Sequence, residues 1–415
     1  DPGGDVVMKR IVYREWRLTP QRYWSLLAVL GAVAGIGGLA FWYMEHHGHW
    51  VTGMNNQVIW GAPHIFAVFL IVAASGALNI ASIGTVFGKK IYQPLGRFSG
   101  LLAVALLMGG LMVLVLDLGR PDRLIVAMTT YNFRSIFAWN VFLYTGFMVI
   151  VIAYLVTMVD RKLSAFYKPT GTFAFVWRLL LTMGTGSIFG FLVARQAYDT
   201  ALLAPMFIAM SFLYGLAIFM LVLMFAFDQD DRPIGEAIMS RLRNLMGIFI
   251  GAVLFFILVY FLTKLYGAKN YEVVAFFLVD GGRYTIAFWF GWLILGLLAP
   301  LGIIYHPALR QDRAWLVAAS ALVVIGGLAS MYVIIIGGQA FPMQLFPDKT
   351  ILESGFYDGV GGQVAAYAPS VPELLLGLGG VAVALIITAV GVRVLQFLPE
   401  SLADQDVDPH AAVKA

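Results

Sequence analysis

Ten apolar stretches, each about 20 residues or longer, fill most of this 415-residue chain, and few architectures accommodate them. A run of that length crosses a bilayer as a helix, because only a helix or a closed barrel satisfies every backbone polar group without water. The stretches read as spans at about 21–45, 57–87, 95–118, 135–159, 173–196, 201–227, 242–267, 284–305, 314–338 and 372–398. Strands of alternating polarity, which a barrel needs, are absent. Charged residues make up 12% of the chain, against about 25% in a soluble domain. The expected fold class is therefore an all-α integral membrane protein.

Ten spans put both termini on one side. Lysine and arginine fall more than two to one on that side, which predicts cytoplasmic termini. The expected location is the inner (cytoplasmic) membrane of a bacterium or archaeon, with the protein embedded among membrane lipids. The "EHHGH" loop, the loop after Asp117 and the long loop 339–371 then face outward. "LDLGRPDR" and "YNFR" break the charge rule by placing Arg120, Arg123 and Arg134 on the outer side. The chain has no cysteine, so it holds no disulfide and no thiolate-ligated cluster; iron–sulfur electron transfer requires a partner subunit. The net charge of +4 comes mostly from loop residues and indicates no nucleic-acid partner. The opening "DPGGDVV" reads as an upstream extension and is set aside from fold reasoning.

"APHIFAVF" (Ala62 to Phe69) and "APMFIAMSF" (Ala204 to Phe212) open the second and sixth spans alike. The fifth and ninth spans start at nearly the same offset. This suggests two four-helix bundles, spans 2–5 and 6–9, with spans 1 and 10 peripheral. The expected division is 1–56 for the N-terminus and first helix, and 57–200 for the first bundle with the site. The second bundle takes 201–338, and 339–415 holds the outer loop, last helix and tail. Met206 stands in the second half where the first has His64, so chemistry is expected in the first.

His64 reads as about seven residues inside span 2, roughly 10 Å deep at 1.5 Å per residue. Asp117 ends span 3, followed by Arg120 and Arg123. Tyr131, Arg134 and Asn140 lie at the entry to span 4. Arg195, Tyr198 and Asp199 lie in the turn between spans 5 and 6. Ionisable groups within a membrane are costly and generally functional, and imidazole exchanges protons near neutral pH. Blander readings exist for each group. A helix histidine can bond a backbone carbonyl, Asp117 with Arg120 can be a structural ion pair, and Tyr131 can be an interfacial aromatic. His46, His47 and His49 read as exposed residues at a helix end. Arg178 reads as a snorkelling side chain near the cytoplasmic end of span 5. Thr182, Thr185, Ser187, Asn79 and Ser82 could form a polar path, although such hydroxyls often serve packing.

The ten-span pattern, "LDLGRPDR" at 116–123 and the paired bundles resemble the NrfD/polysulfide-reductase (PsrC-like) membrane-subunit family over nearly the whole chain. "GMNNQVIWGAPHIFAVFLIVAASGALNIASI", "LDLGRPDRLIVAMTTYNFRSIFAWN" and "GTGSIFGFLVARQAYD" look closest to its DsrP branch, associated with dissimilatory sulfite reductase systems. The resemblance implies exchange of a quinone, menaquinone or ubiquinone, with a ferredoxin-like iron–sulfur subunit on the outer face. It implies further membrane and cytochrome subunits of a larger complex, and no heme or iron–sulfur cluster in this chain. It maps a quinone-binding histidine onto His64. An asparagine three residues earlier in the polysulfide-reductase pattern is Gly61 here, so Asn56, Gln57 or Trp60 would supply the second contact. On this reading His64 meets the head group and exchanges protons. Asp117 orients it or passes protons to the outer face, and Tyr131 is a candidate second hydrogen bond. Trp60, Arg120, Arg134, Asn140, Arg195 and Asp199 complete the surroundings, the arginines setting the potential or docking a partner.

Two other classes fit the composition. A secondary transporter would need broken helices or charges near the midplane. A diheme cytochrome would need paired histidines at equal depth, and His306 reads as lying at the opposite end from His64.

Overall fold

The computed structural model describes residues 11–343 and 364–407. Ten helices among the described residues are long and apolar enough to cross a membrane: Pro20–His47, Ala62–Thr85, Lys90–Leu116, Ile136–Val159, Arg161–Gly190, Leu203–Asp228, Glu236–Tyr266, Arg283–Tyr305, Arg313–Ala340 and Val371–Val394. They are spans 1 to 10 below. The protein is an all-α, multi-pass integral membrane protein.

Two boundaries differ from expectation, and both move the site. Span 2 begins at Ala62, not 57, with Pro63 in its first turn. Proline has no N–H to donate and is tolerated only where helical donors are unpaired anyway, so Pro63 sets the start. Span 5 begins near Arg161 and ends at Gly190, nearly two turns before the expected end. Its link to span 6 is consequently an irregular segment, 191–202.

Span 2 lies at the centre of the bundle, buried along nearly its whole length. It packs on spans 3, 5, 6 and 10. Its crossing with span 6 is the tightest in the molecule. A Cβ on Gly76 would run into the Ser211 carbonyl, and one on Gly215 into the backbone at Gly76 and Ala77. Close backbone approach is how helices gain van der Waals contact where lipid removes the hydrophobic drive. Span 2 is interrupted at Leu78. Ser99 of span 3 repairs the break, its hydroxyl donating to the Ala77 carbonyl (2.6 Å) and accepting from the Ala81 N–H (3.1 Å).

Spans 1 and 10 pack on each other, with Gly37 against Gly379. Span 10 also packs on spans 2 and 3, closer to the centre than a peripheral helix. At one end of the bundle, Tyr13–Arg14 pairs antiparallel with Leu398–Pro399, joining the segment before span 1 to the segment after span 10.

Candidate functional site

At the opposite end, a non-helical stretch, 52–61, lies over the start of span 2. It is held from a distance. Gln339 at the end of span 9 accepts from the N–H groups of Ile59 and Trp60, each at 3.0 Å, and donates to the Trp60 carbonyl. Arg195 donates to the carbonyls of Gln57 (2.8 Å) and Gln339 (2.7 Å). The stretch is thus a fixed cover, with Gln57 and Val58 buried.

His64 sits beneath this cover in the first turn of span 2, not two helical turns inside as expected, because the chain before Ala62 is not helical. It remains enclosed, with 17% of its side chain exposed. Its Nδ1 lies 2.9 Å from Asp117 Oδ2. This is charge-pair distance without hydrogen-bond alignment, and both atoms are buried with no hydrogen bond. His64 Nε2 has no hydrogen bond among the described residues. Asp117 caps span 3 and is 1% exposed in its side chain. Its other oxygen, Oδ1, lies 3.8 Å from His49 Nε2. Gly119 supplies the turn of "LDLGRP" with φ +70°, and a Cβ there would press on the His49 ring at 3.0 Å. Glycine takes that backbone conformation at no steric cost and leaves the histidine room.

Trp60 stacks near His64 with ring centroids 6.1 Å apart, and also meets Phe137 and Phe189 at 6.0 and 5.6 Å. These rings give the histidine an apolar wall drawn from the cover and from spans 4 and 5. Tyr131 lies elsewhere, against Phe142 at 4.3 Å and Phe133 at 5.9 Å, with no described contact to His64. Asn140 staples span 4 to span 5, donating to the carbonyls of Ile136 and Gly184, while its Oδ1 is buried without a partner.

The arginines divide. Arg120 is exposed and pairs with Asp122 at 3.1 Å, which overturns an Asp117–Arg120 pair; a chain turning at Gly119 carries the guanidinium outward. Arg134 is exposed. Arg195 fixes the cover by bonding carbonyls, and partial burial lowers its pKa. Asp199 is exposed and offers its backbone carbonyl to Lys264 at 2.9 Å. Arg178 does not snorkel. It is fully buried in span 5, bonds Asn79 Oδ1 at 2.7 Å, and lies over the rings of Phe212 (4.7 Å) and Phe175 (5.0 Å). With span 5 starting earlier than expected, Arg178 falls well inside it.

Three residues at this end belong to the site's surroundings although the sequence does not single them out. His49 is one. The others are Tyr367 and Glu373 at the head of span 10. Glu373 is fully buried, accepting from the N–H groups of Gly53 (2.8 Å) and Ser370 (2.7 Å) and from the Tyr367 hydroxyl (2.9 Å). Tyr367 accepts from the Ala62 N–H at 2.6 Å. Its phenol is pushed to higher pKa, first by burial and then by the Glu373 charge. The only hint in the sequence is "SVPE", the serine–glutamate capping box that starts span 10. Glu373 and Tyr367 explain Gly61, since a Cβ there would strike Glu373 Oε1 and the Tyr367 hydroxyl. Gly61→Asn is expected to destabilise the protein by about 1–3 kcal/mol through overpacking, seen as a lower melting temperature in detergent. An unchanged melting temperature would show that the carboxylate has room to move.

The sequence pattern of the family described as "Polysulphide reductase, NrfD" matches residues 50–343. The chain is 30% identical to the "Hdr-like menaquinol oxidoreductase integral membrane subunit" of Archaeoglobus fulgidus, over 93% of this chain and 96% of that one. It is 26% identical to a putative dimethyl sulfoxide reductase membrane subunit of Halobacterium salinarum, over 94% of each sequence. It is 24% identical to a polysulfide reductase chain of Wolinella succinogenes, over 69% of this protein and 96% of that one. A ten-span fold and these matches lead to one identification: the chain belongs to the NrfD/polysulfide-reductase family of membrane subunits.

Proposed function

We propose that the chain is the quinone-exchanging membrane subunit of a redox complex, with the head group bound at His64. The observation that supports this most is the state of the His64 ring. Nδ1 is turned to a buried carboxylate, and Nε2 has no described hydrogen-bond partner beside an aromatic wall. Such an imidazole is suited to hydrogen-bond an oxygen and to exchange its proton. The unpartnered polar atoms of His64 and Asp117 and the rings of Trp60, Phe137 and Phe189 fit a planar, oxygen-bearing head group. When bound, a quinol supplies two electrons and two protons. His64 Nε2 would hold the proton at the head-group oxygen. Asp117 would orient the ring and balance its charge. Trp60 and Phe189 would keep water from the site. Menaquinone is the favoured type, because the relative from Archaeoglobus fulgidus is named for menaquinol. Tyr131 and Asp199 make no described contact with His64 or Asp117, and Arg195 enters by fixing the cover.

The positive-inside asymmetry supports cytoplasmic termini in a bacterial or archaeal inner membrane, with His64 toward the outer face. The relatives above are named as parts of reductases or oxidoreductases, which supports a multi-subunit complex. A ferredoxin-like iron–sulfur subunit would dock at the outer face, where Arg120, Arg123 and Arg134 are exposed. The long 339–371 loop belongs to the same docking proposal, though residues 344–363 lie outside the described residues. The sulfite-reductase-associated branch, the division at 57–200 and 201–338, and additional cytochrome subunits also stand as proposals. A transporter reading gains two observations, the mid-span Arg178 and the break of span 2 at Leu78. A diheme reading gains none from His306, which is exposed at the end of span 8.

The test is titration of a quinol analogue against the purified chain, followed by tryptophan emission. Saturable quenching is expected, mostly removed by Trp60→Phe and abolished by His64→Ala. Quenching that persists unaltered in His64→Ala would place the site elsewhere.

A further inference from the structure

We propose that His49 is the outer member of a proton relay, His64–Asp117–His49, through which the site exchanges protons with water at its own end of the bundle. The proposal deepens the quinone reading and rests on it.

The geometry is sequential. Asp117 is a single carboxylate set between two imidazoles, with Oδ2 at 2.9 Å from His64 Nδ1 and Oδ1 at 3.8 Å from His49 Nε2. All four of these atoms are buried, and none has a hydrogen bond. Buried polar groups are overwhelmingly hydrogen-bonded; here His64 Nδ1 and Asp117 Oδ2 face each other at 2.9 Å, and Asp117 Oδ1 and His49 Nε2 are buried without a hydrogen bond among the described residues. Along the line His64 is 17% exposed, so Asp117 is the most enclosed link and His49 the most open end. The carboxylate is 1% exposed and the His49 side chain 28%. The relay therefore starts in an enclosed site and ends in a ring that meets solvent. The step from 3.8 Å to hydrogen-bond length is a small ring movement, and the His49 ring lies against a glycine instead of a side chain.

The proton count closes. For an outgoing proton, His64 Nε2 takes one from the head-group oxygen and Nδ1 gives one to Asp117 Oδ2. The carboxyl group, now neutral, turns to present that proton to His49 Nε2, and His49 releases one from Nδ1 to water; both imidazoles end in the other tautomer and reset by a ring flip. Each group ends in its starting charge, and the electrons take no part. The reverse order serves uptake. The other charged groups near His49 are Glu45, His46 and His47 on the same end of span 1, Arg120 beyond Gly119, and Glu373, which binds the Gly53 N–H. Glu45 interacts electrostatically with Arg120, and Arg120 is held by Asp122. Among the described residues, Asp117 is the carboxylate in direct range of the His49 ring.

The experiment uses the intact complex with quinol as donor, together with analogue quenching on the same preparations. His49→Gln keeps an amide within reach of Asp117 and tests the role without emptying the space. His49→Ala opens room for added imidazole. Expected results are a loss of turnover of about tenfold or more in both variants and an analogue affinity within about twofold of wild type. The Ala variant should recover turnover in imidazole, with rescue following the base strength of the azole added, and the acid-side inflection of the wild-type pH–rate profile should shift in His49→Gln. Wild-type turnover in His49→Gln overturns the relay, as does a loss of analogue binding equal to the loss of turnover, or an Ala variant that no azole rescues. Failure of the underlying quinone reading looks different: wild type itself then shows no saturable quenching.

Discussion

His64→Ala is expected to lower quinol-linked turnover by about 100- to 10,000-fold, the range a positioned general acid–base contributes, while the complex still assembles. Assembly should survive because the ring is partly exposed and stacks loosely on Trp60, and its one polar contact across spans, with Asp117, lies at the end of the bundle and not in its packed centre. The loss should fall on turnover and on analogue binding together, since the head group and the proton share Nε2. Asp117→Asn should differ by keeping binding while slowing proton exchange. Steady-state assays on the purified complex, with subunit content checked by gel, separate these outcomes. Assembled His64→Ala complex that turns over at the wild-type rate would remove His64 from the mechanism.

The second large effect is structural and lies far from the site. Gly76→Leu is expected to prevent the native crossing of spans 2 and 6, because the new side chain must enter space held by the Ser211 backbone. Backbone cannot rotate aside as a side chain can, so the cost should exceed the roughly 1–3 kcal/mol typical of overpacking. Gly76→Ala already meets the same carbonyl and should be damaging too. By contrast, Gly31→Leu, at an open position on the first span, should be tolerated. Yield of monodisperse protein in detergent, and its melting temperature, compare the three. Wild-type behaviour of Gly76→Leu would show that the two spans pack less closely than described.

The spans are legible in the sequence because hydropathy over about 20 residues answers directly to bilayer thickness. The meeting of His64 with Asp117 is legible in outline, since both fall at the same end of neighbouring helices. Its depth is not, because the apolar run begins before Pro63 and hides the proline's place in the first helical turn. The role of Arg195 is hidden for another reason: it bonds carbonyls, and every residue has a carbonyl, so nothing in a sequence marks which ones it will meet. His49 looks like any of three histidines at a helix end. What singles it out is the backbone turn at Gly119, just beyond the end of span 3. Arg178 is misplaced by hydropathy because the polar "KPTGT" resembles a loop, although the helix runs straight through it.

The bonds from Glu373 to Gly53 join residues 320 positions apart, and that distance has a meaning in time. Spans enter the membrane in the order they are made. Until the last of them is inserted, the N–H groups of Gly53 and Ala62 lack the carboxylate and phenol that receive them, and the cover over His64 has lost one of its two anchors. The nascent protein therefore carries the surroundings of His64 unfinished through nearly all of translation. Only the arrival of the last span closes them, so a chain interrupted before it stays in the membrane with the enclosure of His64 unformed.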